Sequence, residues 1–220
     1  MMRIERASAI HAPAIGAIYD AAARATPATF DLEGHPPQWW AEAIAAETYP
    51  VLVAIGDDGD VVGFARASEH KVKPAYGTTC ETSVYVAEHA RGQGIGRALY
   101  GVLLHQLDAA AGLLLAVAGI TLPNPPSIAL HESCGFSHVG TFHNVGLKFD
   151  ERWDVAWYER PLGLCSTCAH QRLIRSGRGS AFSMCLRHKT DVAYPKYPRL
   201  PVTACAGHEP QCEGGLSSTR

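Results

Sequence analysis

An α/β fold, a mixed central sheet with helices on its faces, is what this sequence predicts, with a small cysteine-rich unit at its C-terminal end. Three observations lead there. Apolar runs of strand length alternate with stretches whose apolar residues recur at helical spacing. A glycine-rich turn at 91–96 joins the most strand-like run to the clearest helix. The chain also changes character near Pro161-Leu162-Gly163: residues 1–162 carry 11 Lys and Arg against 18 Asp and Glu, whereas 163–220 carry 8 against 3. Five of the seven cysteines fall in that last stretch, so two units, 1–162 and 163–220, are expected.

Residues 3–7 can form a first strand. Ser8 is an N-cap candidate, because its hydroxyl can satisfy an orphan N–H, and Ile15, Ile18, Tyr19 and Ala22 then recur at helical spacing. Pro36-Pro37 can open a second helix, since proline's missing N–H is not needed in a first turn; it carries Trp39, Trp40 and Ile44 and runs towards Tyr49-Pro50. Runs 51–55 and 61–67 flank Gly56-Asp57-Asp58-Gly59-Asp60, a hairpin signal. Strands are expected at 79–86, 113–118, 138–149 and 153–159, and helices at 94–108 and 127–134. The resulting order, β-α-α-β-β-β-α-β-α-β-β, puts a ligand site at the carboxyl ends of the central strands.

With 47% hydrophobic and 18% charged residues, the chain can bury a core and is not a disordered one. The longest run free of both charge and strong polarity, between Asp108 and Pro123, is too short for a membrane-spanning helix. No apolar stretch follows Met1-Met2-Arg3, and seven cysteines make an odd number for a secreted disulfide framework. A soluble, cytoplasmic protein with reduced thiols is expected.

The chemistry is carried first by Arg91-Gly92-Gln93-Gly94-Ile95-Gly96-Arg97, which follows the strand Ser83-Val84-Tyr85-Val86. Glycines let a backbone approach a bulky anion, and the first N–H groups of a helix have no internal partner and sit at its positive end. Arg91 and Arg97 can add charge-assisted contacts. No Lys-Ser/Thr follows, so this is not a P-loop, and its mid-chain place makes a poor dinucleotide fingerprint. A plain glycine-rich turn is the simpler reading of this motif taken alone.

It does not stand alone. Arg91-x-x-Gly94-x-Gly96, followed by Asn124-x-x-Ser127-x-x-x-His131-x-x-x-Gly135-Phe136, resembles the acyl-CoA loop and acetyl-transfer motif of the GNAT N-acetyltransferases. His131 stands where that family has a Tyr. This histidine, the run Val-Ala-Gly-Ile-Thr-Leu-Pro-Asn-Pro-Pro at 117–126, and Lys148-Phe149 with Trp153-Asp154-Val155 resemble the phosphinothricin acetyltransferase branch. The resemblance spans about 3–162. It implies a GNAT-like sheet and transfer from acetyl-CoA to the amine of a small amino acid or analogue. It places pyrophosphate on 91–97, pantetheine along Val84, Tyr85 and Val86 with Asn124 and Ser127 nearby, Glu81 as general base, and His131 as its proton-transfer partner. A homodimer is also implied. Glu81 as a surface strand residue and His131 as a satisfied core histidine are the plainer alternatives, and Phe30 and Tyr85 are candidate walls of the acceptor pocket.

In the tail, Cys165-x2-Cys168 puts two thiols on one turn, and Cys185 and Cys205 can complete a tetrahedron around zinc, giving a zinc-ribbon-like module. His170, His188, His208 and Cys212 are alternative ligands, an iron–sulfur cluster is an alternative group, and a basic tail with reduced thiols is the alternative to a folded module. Nucleic acid is not an expected partner. The rival function is an acyl-CoA-sensing or nucleic-acid- or protein-binding scaffold that works through this tail.

Overall fold

The structure, a computed structural model, describes residues 2–175 and 181–210. The chain divides into two compact units, Met1–Gln106 with Leu115–Arg160, and Leu107–Leu114 with Pro161–Arg220.

Strands β1 (Arg3–Arg6), β2 (Val51–Ile55), β3 (Val61–Glu69), β4 (Thr79–Val86), β5 (Leu115–Leu122), β6 (Ser137–Lys148) and β7 (Glu151–Pro161) form one sheet in the order β1-β2-β3-β4-β5-β7-β6. Helices α1 (Ala12–Ala25) and α2 (Pro37–Ala45) follow β1, α3 (Ile95–Ala109) follows β4, and α4 (Pro125–Ser133) follows β5. Neighbours β1 to β4 pair antiparallel and β4 pairs β5 in parallel, so the sheet is mixed.

The β2–β3 turn closes as its glycines predict: Gly59 is left-handed (φ 91°) and Gly56 N–H donates to Asp60 O at 2.8 Å. Ser8 opens a short 3-10 turn at Ala9–His11 rather than the long helix, its N–H donating to His11 Nδ1 at 3.0 Å. α2 stops at Ala45, earlier than the pattern suggests, and Glu47 takes a left-handed φ of 51°. β5 is displaced from the expected 113–118. Gly112, left-handed at φ 90°, belongs to the turn before it, and Gly119 lies inside the strand, where the Trp157 ring would stand 3.5 Å from any Cβ. Gly119, one residue past the expected end of that strand, is a packing site.

One face of the sheet is closed by Ile15, Trp40, Val53 and Phe64, and Trp40 meets Phe64 edge-on at 5.2 Å. Leu99, Tyr100 and Leu103 of α3 are also fully buried. The described part of the second unit holds a hairpin, β8 (Gln171–Arg175) and β9 (Ala181–Cys185), for which the sequence carried no clear alternation. Asp108 Oδ1 receives Gly163 N–H (3.0 Å) and Ser166 O–H (3.3 Å) within that unit. No helix among the described residues is long and apolar enough to cross a membrane.

Candidate active site

The parallel ladder of β4 and β5 runs from Thr79↔Leu115 only to Glu81↔Val117, although β4 stays paired with β3 as far as Val86↔Gly63. Beyond that point residues 82–86 and 119–121 line a cavity of about 600 Å³, with backbone edges facing it. Gly92, Gly94 and Ile95 continue the wall. Gly92 (φ 78°) and Gly94 (φ 79°) both need the left-handed region, and an added Cβ at either would meet nothing within 4 Å, so the turn is shaped by conformation and open in front. Gly94 O accepts the first helical hydrogen bond, from Ala98 N–H at 3.0 Å, leaving the intervening N–H groups without an intrahelical partner. Gly96 has a different role. Its missing side chain lets Leu130 of α4 come within 3.2 Å of where a Cβ would be.

Of the residues singled out by sequence, Val84, Tyr85, Val86, Arg91, Gly92, Gly94, Ile95, Gly96, Asn124, Ser127 and His131 all line this cavity. Gln93, Arg97 and Glu81 do not. Gln93 donates to His89 O at 3.4 Å, and Arg91 Nε reaches Val86 O at 3.3 Å. Asn124 caps α4, its side-chain oxygen accepting Ser127 N–H at 3.2 Å. Phe30 lies instead over Gly146, where it occupies the space of a Cβ.

His131 is buried with both ring nitrogens occupied. Nδ1 lies 2.7 Å from Ser127 O, so it carries the proton, and Nε2 accepts from the Tyr100 hydroxyl at 3.0 Å. Burial holds its pKa below the usual histidine value, against the opposing pull of the Ser127 carbonyl. The unfolded chain therefore takes up this proton first as pH falls through about 6.5. The resulting prediction is that wild-type protein loses stability on acidification from that pH until the lower folded-state pKa is passed. His131→Gln removes that part of the slope, and denaturant melts of both proteins across pH 5–8 measure the difference.

Glu81 Oε2 lies 3.4 Å from His70 Nδ1, and the His70 ring packs edge-on to Trp157 at 5.7 Å. The sequence carried no signal for His70 or Tyr100: the first is eleven positions from its partner and the second reads as an ordinary core residue of α3.

A family model described as "Acetyltransferase (GNAT) family" matches residues 15–136. The chain belongs to this family. GNAT relatives include a protein named phosphinothricin N-acetyltransferase from Streptomyces coelicolor, 45% identical over 150 residues, which cover 66% of this chain and 87% of that one. A protein named L-methionine sulfoximine/L-methionine sulfone acetyltransferase from Pseudomonas paraeruginosa is 37% identical, over 67% and 87% of the two chains. Among solved structures, a GNAT phosphinothricin acetyltransferase from Sinorhizobium meliloti in complex with AcCoA aligns with TM-score 0.70 and 33% identity, over 74% of this chain and 89% of that one. This GNAT chain is an N-acetyltransferase.

In the second unit Cys165 and Cys168 share a turn in which Cys168 N–H donates to Cys165 O at 3.3 Å. Burial first, then Cys168, Cys185 and Cys205, push the Cys165 thiol up to about 11. Yet among the described residues no three His, Cys, Asp or Glu side chains are arranged to hold a metal ion, so the expected tetrahedral zinc site is not formed by the described thiols. Cys212 lies outside the described residues.

Proposed function

We propose that this chain transfers the acetyl group of acetyl-CoA to the α-amine of a small amino acid of the phosphinothricin or methionine sulfone kind. The carrying observation is the early end of the β4–β5 ladder, which leaves a slot between strands that leads to a glycine turn at a helix N-terminus. The turn receives the pyrophosphate through N–H groups and Arg91. Pantetheine lies along the open edge of residues 84–86, and a backbone N–H there meets the oxyanion of the tetrahedral intermediate.

An amine is protonated at neutral pH and must lose a proton before attack. Glu81, at the point where the strands part and paired with His70, takes that proton. The amine nitrogen then bonds to the thioester carbon, the C–S bond breaks, and the sulfur leaves as a thiolate that needs a proton. The Tyr100 hydroxyl, held by His131 on the cavity wall, supplies it; the second proton, shed by the nitrogen as it becomes an amide, restores that hydroxyl, and the first leaves to solvent through Glu81 and His70. His131 acts here as a neutral partner that orients the Tyr100 hydroxyl. Turnover on a panel of α-amino acids, simple amines and peptides with acetyl-CoA tests the function. Thermal stabilisation by acetyl-CoA without turnover of any amine would favour the acyl-CoA-sensing scaffold.

The same reading places the enzyme in the cytoplasm and makes it a homodimer. Support for the dimer comes from β6, whose Val139, Phe142, Val145 and Leu147 are all exposed apolar side chains on one late strand. For the tail we infer a metal-binding module on Cys165, Cys168, Cys185 and Cys205, supported by the Cys-x2-Cys spacing and the mutual effect of the thiols, and requiring their side chains to turn inward. Full-length protein purified without chelator is expected to carry about one zinc per chain. Trace metal, with these thiols freely titratable in the native state, would remove the module.

A further inference from the structure

Arg66 of β3 pairs with Ser83 of β4, between the pairs Phe64↔Tyr85 and Ser68↔Glu81. Side chains alternate along strands, so Arg66, Ser83, Tyr85 and Glu81 share one sheet face. Tyr85 lines the acetyl-CoA cavity, and Glu81 stands where β4 and β5 part. The Arg66 guanidinium carbon is held 5.3 Å from the Trp39 ring centre and 5.4 Å from that of Trp40. Indole faces orient a guanidinium but satisfy none of its N–H donors.

The carboxylates of the neighbourhood are engaged elsewhere. Asp31 accepts the Tyr19 hydroxyl at 2.6 Å and lies 3.2 Å from His35 Nε2, and Glu81 is paired with His70. Among the described residues Arg66 forms no hydrogen bond or ion pair with a carboxylate or carbonyl. It is an oriented, partly exposed cation with its hydrogen-bonding fork unused.

We propose that Arg66 is the anchor for the α-carboxylate of the acceptor and so sets its class, a free α-amino acid rather than a simple amine or a peptide N-terminus. The inference rests on the acetyl-transfer function above. Guanidinium and carboxylate match as a bidentate pair, and opposite or diagonal neighbours across an antiparallel pair lie about 4.5–8 Å apart. An α-amino acid spans that interval with its carboxylate on Arg66 and its amine turned towards Glu81, beside the thioester at residues 84–86. A lysine could supply the charge but not the fork.

The test compares methionine sulfone with its decarboxylated counterpart, 3-(methylsulfonyl)propylamine. Arg66→Gln is expected to lose about 10²-fold in kcat/KM on methionine sulfone, mostly through KM, because a charge-assisted pair is lost. On the amine it should change by less than about threefold, and acetyl-CoA affinity should stay put. Arg66→Lys, which keeps the charge and the packing, should lose about tenfold on the amino acid alone. Equal losses on both substrates, or a wild-type enzyme that does not distinguish them, would overturn the anchor and leave the acetyltransferase reading standing. Wild-type protein that binds acetyl-CoA and turns over no amine would overturn both.

Discussion

Gly94→Asp is expected to abolish acetyl-CoA binding and to leave the fold in place. The aspartate would put a carboxylate in the open space in front of the turn, where the pyrophosphate is to sit, and it would replace the one residue type that adopts φ 79° without strain. Like charges at close range in a partly enclosed site are strongly unfavourable. Because nothing in the protein lies within 4 Å of the new Cβ, the backbone term alone, on the order of 1 kcal/mol, is left to affect stability. Calorimetric titration with acetyl-CoA, alongside a thermal melt, reads both quantities. Wild-type affinity in a folded variant would show that the turn does not hold the pyrophosphate.

Glu81→Gln is expected to lower kcat by about 10²–10⁴-fold, the usual contribution of a positioned base, with little change in acetyl-CoA affinity. The amide keeps the size of the carboxylate and can still bond His70, so the strand pairing at Glu81↔Val117 is retained. The loss should shrink as pH rises, because the amine then arrives already deprotonated and needs no base. A pH–rate profile of the variant against wild type shows this convergence. Activity within about threefold of wild type at pH 7 would make Glu81 a strand residue and nothing more. The outcome also bears on His70, whose proposed part is to partner this carboxylate and pass its proton to solvent.

Residues 84–86 and the glycine turn were visible because the chemistry needs them contiguous: a strand edge, then left-handed glycines, then a helix start. Asn124, Ser127 and His131 were visible as a spaced motif, and all three line the same cavity. Their detailed roles were not visible. Asn124 is a helix cap, and His131 is kept neutral by burial while its ring is oriented by a carbonyl on its own helix and by Tyr100 from another. The partners Tyr100 and His70 are ordinary residues of their own segments and become special only by being brought beside His131 and Glu81.

Local signals therefore settled the order of elements and the glycine turn. Each depends on a few consecutive residues: periodicity, proline at a first turn, glycine where φ must be positive. Three things waited for the tertiary structure. The first is the place where β4 and β5 stop pairing, which depends on the register between strands some thirty residues apart in sequence. The second is the strand through Gly119, set by the Trp157 ring that covers it. The third is the face on which Arg66 meets Trp39, Trp40, Ser83 and Tyr85, since a lone arginine in an apolar strand has no meaning until its cross-strand neighbours are known. Short-range sterics and hydrogen bonding are written along the chain, whereas charge pairing and cavity shape are properties of residues distant in sequence that only folding makes adjacent.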